Sequence, residues 1–332
     1  MRLKINFHSL VCTIFAQRKI RNRMKLYAAP LQGFTEATWR NLHSEIFGGI
    51  DSYVTPFVRI EKGEIRSKDV RDIEKKNNSV EHLVPQLIAA TPEEFIPLVE
   101  FIVAQGYNEA DINMGCSFAL QVRKCHGAGL LPHPDKIEAL MKAAEKFPEV
   151  SFSLKMRLGW ESKEEWRALL PILNDSKLSR ITLHPRTGRE QYRVAADCEE
   201  FACFYEECRH PLVYNGDLTS LEDMNRIAER FPRLEGLMMG RGLLANPAIA
   251  LEFKEQRILT HGEKASLIAR FHEKFYDIMS ARLQGNTQFL SKFKPYWEYL
   301  LPDMEKRDRK AIQKASTIDK YLVAVNGALA RY

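Results

Sequence analysis

Cys116 directly follows a strand-like run, in the sequence DINMGC that begins at Asp111. The loop after it contains Gly127, Ala128 and Gly129, small residues that allow close approach to the backbone. An unperturbed thiol has a pKa of about 8.5 and stays mostly protonated at neutral pH, so it suits a proton donor better than a nucleophile. The alternative is a buried, inert cysteine. Nothing local favours Cys125, in the same loop, over Cys116.

Polar and apolar side chains alternate along residues 151–158. Successive side chains of a strand point to opposite faces, so Lys155 and Arg157 share the polar face. In a barrel the apolar face contacts the helices, which places Lys155 and Arg157 in the lumen, at the mouth where barrel enzymes have their sites. The same alternation pairs Asp111 with Asn113 and Thr182 with His184. Buried polar groups are costly unless they are hydrogen-bonded or bind something. The pattern therefore predicts a binding site, with a purely structural network as the alternative.

Two glycine-containing turns predict an anion site. They are Asn215 to Asp217, around Gly216, and Gly240 to Gly242, around Arg241. After late strands of a barrel, backbone N–H groups and a following helix N-terminus commonly meet a phosphate, and an arginine adds a fixed positive charge. Either turn alone is also compatible with ordinary loop structure.

Eight strand-like runs alternate with helical segments, the pattern of a parallel α/β fold. The runs are residues 25–29, 52–58, 83–89, 110–115, 151–158, 180–185, 211–216 and 234–240. The clearest helical segments are residues 92–105, 134–147, 163–174 and 220–231. This count predicts a (β/α)8 TIM barrel. A doubly wound sheet is the alternative, but it usually has a glycine-rich fingerprint after its first strand, where this chain reads APLQG.

Charge is unevenly distributed along the chain. The formal net charge of +6 equals the six basic residues of positions 1–23, which include no acidic residue. Residues 24–261 hold 30 basic and 35 acidic side chains, whereas residues 262–332 hold 13 and 8. Strand patterns also stop near residue 262. We therefore expect a basic N-terminal extension at 1–23, a barrel domain at 24–261, and a helical domain at 262–332 that grips a polyanion.

Composition excludes several classes of protein. Hydrophobic residues make up 45% of the chain, too many for intrinsic disorder, and no stretch approaches the roughly 18 to 20 apolar residues of a membrane span. Six cysteines without a CxxC pair favour a reducing compartment, so we expect a cytoplasmic protein. No sequence feature demands an oligomer, and we expect a monomer.

The N-terminal segment is not expected to be a signal peptide. Its apolar run covers only residues 10–16, no small-x-small cleavage site follows, and a basic cluster comes next. We expect a disordered extension, with a basic RNA-tethering arm as the alternative.

Seven ordered motifs carry a resemblance to a known family. They are YAAPLQGFTE, VPQLI, DINMGC, SLKMRLGW, TLHPRTG, VYNGD and MMGRGLLANP, within residues 25–247. In this order and spacing they resemble the tRNA-dihydrouridine synthases. The run SLKMRLGW, with KFKPYWEYL in the C-terminal region, most resembles the subgroup that reduces uridine 16 of tRNA.

The resemblance implies a flavoprotein. Family members bind FMN over the barrel mouth and reduce it with NADPH; hydride then passes to C6 of a uridine in the tRNA D-loop, and a cysteine protonates C5. The matching cysteine is Cys116. Lys155 matches the lysine beside flavin N1 and the C2 carbonyl, where its charge stabilises the anionic reduced ring. Gln86 matches a residue that hydrogen-bonds the flavin edge. By the same matching, the other cofactor positions are Ala28, Ala29, Pro30, His184, Asn215, Gly216, Gly240 and Arg241. We expect the turn residue Asp217 to belong to the same site.

The same resemblance implies contacts with tRNA. Asn113 and Arg157 match residues that face the uracil, which must leave its stack to reach the flavin. We expect the tRNA to be recognised by shape and phosphates through residues 262–332, including Lys292 and Lys294. The alternative for these two lysines is an amphipathic helix whose long side chains lie along apolar surface.

Two residues depart from the family pattern in the loop of Cys116. Ser117 stands where a proline normally follows the cysteine, and Ala119 stands where a lysine is common. Arg123 or Lys124 is the candidate for the missing charge. These departures leave a catalytically silent tRNA-binding protein as one alternative function. A flavin enzyme that reduces a small-molecule pyrimidine is another.

Four residues have types that are common in metal-binding sites. Cys198, Cys203 and Cys208 are spaced by five residues, and His210 follows. On a helix this spacing turns the chain by about 500° per step and spreads the thiols around the axis. We therefore expect no metal site, and we assign these residues to helix packing between the sixth and seventh strands.

Overall fold

The structure, a computed structural model, describes residues 23–332. The predicted N-terminal extension lies outside the described residues except for Arg23, whose guanidinium donates a hydrogen bond to the Pro232 carbonyl at 2.7 Å. No helix within residues 23–332 combines the length and apolar character needed to cross a bilayer.

Strands alternate with helices from residue 25 to residue 255. The strands are β1 Lys25–Ala28, β2 Ser52–Val54, β3 Ile60–Glu61, β4 Glu64–Ile65, β5 Leu83–Val84, β6 Gln86–Leu87, β7 Glu109–Met114, β8 Ser151–Gly159, β9 Leu178–Thr187, β10 Leu212–Tyr214 and β11 Gly236–Met239. The helices among them are α1 Ala37–Ile46, α2 Ser67–Ile73, α3 Pro92–Ala104, α4 Ala119–Val122, α5 Pro134–Ala144, α6 Glu165–Asp175, α7 Cys198–Glu207, α8 Leu221–Arg230, α9 Arg241–Ala245 and α10 Ile249–Glu255.

The strands close into a barrel. Strand β1 pairs with β11 and β2, and parallel pairing continues from β6 through β7, β8, β9 and β10 back to β11. Strands β5 and β6 are the two halves of one strand interrupted at Pro85, which has no N–H to donate. The first half pairs with β2 and the second with β7. Strands β3 and β4 form a separate hairpin that the sequence pattern did not predict. The predicted (β/α)8 barrel is confirmed.

Two layers of apolar side chains follow from the alternation along each strand. On β1, Leu26 faces the helices and joins the main core, whereas Tyr27 belongs to a second cluster with Val54, Val213 and Met238. On β8, Phe152 packs against Phe95 of α3, with ring centroids 5.6 Å apart. The lumen is thus partly apolar, and polar side chains are concentrated on β7, β8 and β9.

Residues after 260 are helical. The elements are α11 His261–Ser280, α12 Gly285–Phe293, a 3-10 turn at Lys294–Glu298, α13 Lys306–Lys314 and α14 Ile318–Arg331. Helix α11 begins with a capping box between Thr260 and Glu263. The Tyr296 hydroxyl donates to the Phe34 carbonyl at 2.7 Å, and the Leu301 N–H donates to the Ala245 carbonyl at 3.0 Å. These contacts attach the helical region to the loop that follows β1 and to helix α9, which follows β11.

Candidate active site

A cavity of about 340 Å³ opens at the carboxyl ends of the barrel strands. Most positions predicted to contact a cofactor line it: Ala29, Pro30, Lys155, His184, Asn215, Gly216, Asp217, Gly240 and Arg241. The other two, Ala28 and Gln86, are fully buried in the barrel wall and interior. The structure therefore brings together residues from five strands that are up to 212 positions apart in the chain.

Lys155 extends from β8 into this cavity. Its ammonium forms no hydrogen bond or ion pair with any residue in the range 23–332. Burial, and secondly the positive charge of Arg157, lowers the pKa of Lys155 to about 8. A partly buried cation without a partner is unfavourable. The position is therefore suited to an anion or acceptor that a ligand supplies.

His184 is held as a neutral ring with a defined tautomer. Its Nε2 accepts a hydrogen bond from the Arg186 guanidinium at 2.8 Å, and a guanidinium only donates. The ring proton of His184 is therefore on Nδ1. Burial lowers the pKa of His184 well below its ordinary value, and the charges of Arg157 and Lys155 lower it further. His184 can offer one N–H, at Nδ1, to a group in the cavity that it lines.

Two guanidinium groups share one carboxylate at the far side of the cavity. Asp217 accepts from Arg186 and, at 3.2 Å, from Arg241. The Arg241 guanidinium also lies over the ring of Tyr192, 3.8 Å from its centroid. The carboxylate fixes both cations while leaving the trio with a net positive charge. This end of the cavity is suited to a phosphate.

Four buried side chains inside the barrel form one hydrogen-bonded chain. Ser153 Oγ donates to Asp111 Oδ1 at 2.6 Å, and Gln86 Nε2 donates to Asp111 Oδ2 at 2.7 Å. Asn113 Nδ2 then donates to Gln86 Oε1 at 2.7 Å. The two Asp111 oxygens accept from Ser153 and Gln86, and this orients the Gln86 amide and, through it, that of Asn113. The chain joins β6, β7 and β8 beneath the mouth.

Cys116 is fixed through its backbone. Asn113 Oδ1 accepts from the N–H groups of Gly115 and Cys116 at 3.1 and 3.0 Å, and the Cys116 carbonyl accepts from Ala128 N–H at 2.9 Å. Gly127 packs on this residue with a φ of +60°, and a Cβ there would lie 2.6 Å from the Cys116 carbonyl oxygen. Burial raises the pKa of the Cys116 thiol. The thiol is therefore protonated at neutral pH and can donate a proton.

Arg157 connects the loop of Cys116 to the loop that follows β9. Its Nε donates to the Gly115 carbonyl at 3.0 Å, and its Nη1 donates to the carbonyls of Thr187 and Gln191 at 2.9 and 3.1 Å. These bonds position both rim loops. Contact between Arg157 and a uracil stays a prediction.

Lys292 and Lys294 both have protein partners. The Lys292 ammonium contacts the Gly33 carbonyl at 2.9 Å and Glu36 at 2.8 Å. The Lys294 ammonium donates to the Gln313 carbonyl at 2.8 Å. These bonds favour the packing alternative for both residues, and their contact with tRNA stays untested.

Sequence reasoning missed several residues of the cavity. Strand β9 continues through Pro185 to Thr187, so Arg186 falls on the same face as Thr182 and His184. Extending the alternation by one step would have found it. Tyr192 reaches the cavity from the next loop and Tyr299 from the helical region. Neither has a sequence signal, because tertiary folding alone brings them there.

The cysteines near α7 are dispersed. Cys198 Sγ lies 3.3 Å from the Tyr214 hydroxyl, and Cys208 packs against the core, as helix packing requires. The packing assignment is wrong for Cys203, which is exposed. Residues 23–332 include no group of three or more His, Cys, Asp or Glu side chains placed to hold a metal ion.

The fold defines a class: a TIM barrel with a cavity at the carboxyl ends of its strands, lined by Lys155, Arg186 and Arg241. Cys116 follows β7 on the same rim but is not among the residues that line this cavity. Solved structures agree with the fold. Histamine dehydrogenase from Rhizobium sp. 4-9 superposes with a TM-score of 0.54 at 11% identity, over 74% of this chain and 49% of that one. The old yellow enzyme from Trypanosoma cruzi gives a TM-score of 0.50 at 10% identity, over 71% of this chain and 89% of that one.

A family model described as Dihydrouridine synthase (Dus) matches residues 27–323. The chain belongs to the dihydrouridine synthase family. It is 30% identical over 248 residues to a Xenopus tropicalis protein named "tRNA-dihydrouridine(47) synthase [NAD(P)(+)]-like", covering 73% of this chain but only 38% of that relative. It is 26% identical to a tRNA-dihydrouridine(16) synthase of Aquipseudomonas alcaligenes, over 70% of this chain and 76% of the relative. It is 25% identical to tRNA-dihydrouridine synthase B of Vibrio vulnificus, over 92% of both chains. Relatives of three kinds match at similar identity, so the subgroup stays a prediction.

Proposed function

We propose that this protein reduces a uridine of tRNA to 5,6-dihydrouridine, with FMN bound at the barrel mouth and NADPH as the reductant. One observation carries the proposal. Lys155, whose ammonium has no partner among residues 23–332, lies on β8 directly beside Asn113 of β7, the residue that fixes the Cys116 backbone. A cation for a cofactor and a thiol for the substrate therefore belong to one rim. Membership of the dihydrouridine synthase family supports the proposal.

The residues of the cavity fit FMN. Lys155 offers a positive charge to the acceptor edge of the isoalloxazine, and His184 offers the N–H on Nδ1. Arg186 and Arg241 offer donors to the phosphate, with Asp217 keeping them in place. When bound, FMN supplies the hydride that adds to C6 of the uracil.

The proton comes from the protein. Cys116 holds it on Sγ, because burial keeps the thiol pKa above its ordinary value, and gives it to C5. The thiol is regenerated by a proton from solvent, which reaches this half-buried residue. Asn113 and Ala128 hold the Cys116 backbone during this transfer, so the thiol stays at a fixed place on the rim.

Residues 262–332 are proposed to hold the tRNA. Lys306, Lys310 and Lys314 lie four residues apart on α13, all exposed, and none forms an ion pair with a residue of the described range. Like charges at this spacing repel each other. They are therefore suited to a polyanion such as the tRNA backbone. We place the electrostatic contact on this lysine stripe, since Lys292 and Lys294 are occupied within the protein.

The proposal further takes the protein as a cytoplasmic monomer and uridine 16 as its target.

The test uses the full chain. Purified protein should be yellow, NADPH should bleach the flavin, and tRNA from a deletion strain should lack dihydrouridine at one position. Dihydrouridine retained at every position, or colourless protein that FMN cannot reconstitute, would contradict the proposal. Turnover of free uridine without RNA would favour a small-molecule reductase. Tight tRNA binding without NADPH oxidation would favour a silent tRNA-binding protein.

A further inference from the structure

Two large apolar side chains are exposed on the loop of Cys116. Phe118 is 61% exposed and Leu120 is 57% exposed. They flank Ala119 at the start of α4, within four residues of the thiol. The Phe118 N–H lies against the Cys116 thiol, whereas the Phe118 ring extends into solvent.

The loop that carries these side chains is anchored at several points. His126 contacts Gln121 Oε1 at 3.0 Å and Glu94 Oε2 at 2.7 Å, which ties the end of the loop to α3. The Ala128 N–H and the close packing of Gly127 hold this same end of the loop against Cys116, at the start of the loop. The exposed ring and methyl groups are therefore presented on a fixed backbone, so their exposure is not the consequence of a loose loop.

The surroundings of Phe118 and Leu120 indicate what covers them. Arg123 and Lys124 directly follow the same short helix, are exposed, and form no hydrogen bond or ion pair through their side chains within residues 23–332. An apolar pair of side chains beside two such cations complements a nucleic acid, whose bases offer apolar faces and whose phosphates offer negative charge.

We propose that Phe118 and Leu120 form a wedge that stacks against the tRNA bases next to the uridine being reduced, while Arg123 and Lys124 contact the adjacent phosphates. This proposal rests on the proposed function, because it takes tRNA as the substrate. A uridine that leaves its stack exposes the faces of its neighbours. Apolar side chains that occupy such a gap favour the unstacked state. Because the wedge and Cys116 share one anchored loop, stacking also places the uracil at the thiol.

The experiment compares Phe118→Ala and the double variant Phe118→Ala/Leu120→Ala with wild type. The matched control is Ile258→Ala, which removes an apolar side chain that is 65% exposed in the segment between α10 and α11. We expect every variant to retain its flavin, its melting temperature and its reduction by NADPH without RNA. We expect kcat/KM for tRNA to fall about 10-fold or more in the Phe118 variants, as for the removal of a stacking partner, and to stay unchanged in the control. Phe118→Trp should restore most of the activity.

The outcomes separate the two proposals. If wild type forms dihydrouridine and the double variant forms it equally well, the wedge is wrong and the proposed function stands. If wild type forms none, the proposed function fails and the wedge fails with it. If sedimentation shows that wild type is a dimer and the double variant a monomer, with kcat/KM for tRNA unchanged, Phe118 and Leu120 form an interface between copies of this chain and the wedge is also wrong.

Discussion

Asn113 determines where the backbone of Cys116 lies, because its side-chain oxygen accepts the Cys116 N–H at 3.0 Å. Its amide nitrogen donates to Gln86, so one residue connects the buried polar chain of the barrel to the rim loop. Strand β7 thus positions the thiol from three residues away. The thiol is on a loop, but its placement comes from the barrel interior.

Replacement of Asn113 should separate positioning from cofactor binding. Asn113→Ala leaves the Cys116 and Gly115 N–H groups and the Gln86 oxygen without a partner, which should destabilise the protein by about 1 to 3 kcal/mol. We expect flavin content and flavin reduction by NADPH to persist while uracil reduction slows. Asn113→Asp keeps the oxygen that accepts the Cys116 N–H. This variant should therefore reduce uracil faster than Asn113→Ala does. Stopped-flow measurement of both half-reactions distinguishes the two variants; equal losses in each half-reaction would contradict the assignment.

Removal of the Cys116 thiol should affect only the proton transfer. Cys116→Ala should bind flavin and be reduced by NADPH as wild type is, while tRNA reduction slows by about 100-fold or more, as expected when a general acid is removed. Cys125→Ala, in the same loop, is the control and should be active. Loss of flavin or of folding in Cys116→Ala would show that the thiol is structural.

The affinity of the apoprotein for FMN should depend on pH through Lys155. Because burial lowers the pKa of Lys155 to about 8, the ammonium is present below that pH and is lost as the pH rises through it. We expect FMN to bind more weakly above pH 8. The Lys155→Met variant should bind FMN weakly, with an affinity that does not change across this pH range. The Lys155→Arg variant should keep its positive charge throughout the range. Flavin fluorescence titrations at several pH values measure this, and a wild-type affinity that is constant from about pH 7 to 9 would exclude Lys155 as the group.

Gly127 should be needed for the geometry of the Cys116 loop. In Gly127→Ala the residue would keep a φ of +60° while its Cβ met the Cys116 carbonyl oxygen at 2.6 Å. The strain and overpacking should cost about 2 kcal/mol or more and slow uracil reduction. Gly262→Ala is the control, because a Cβ there meets no atom within 4 Å. Thermal unfolding and turnover should be measured for both variants. A stable, fully active Gly127→Ala protein would refute the prediction.

The lysine stripe of α13 should contribute salt-dependent affinity for tRNA. Replacing Lys306, Lys310 and Lys314 by Gln should weaken tRNA binding and reduce the slope of log K against log salt by about 0.7 to 0.9 for each phosphate that the variant no longer neutralises. Lys142→Gln is a suitable control, since Lys142 already pairs with Glu138 on α5. Binding measured at several salt concentrations tests this, and an unchanged slope would place the tRNA elsewhere.

The sequence by itself determined the barrel and most of the cavity. A strand repeats every two residues, so alternation alone assigned Lys155 and His184 to the lumen, and parallel strands end at one rim, so the turns at Gly216 and Gly240 were expected to meet there. The prediction was incomplete where a strand continued beyond its apparent end, as at Arg186 after Pro185.

Only the tertiary structure decided which polar groups have partners. Lys292 pairs with Glu36 at 2.8 Å across 256 positions of the chain, and Gln86 lies between Asp111 and Asn113 once the barrel has closed. Within residues 23–332 Lys155 is left without a partner, although its type and spacing do not distinguish it from a satisfied lysine. The physical reason is that local pattern determines the direction of a side chain, whereas burial and hydrogen bonding depend on what the rest of the fold places in that direction.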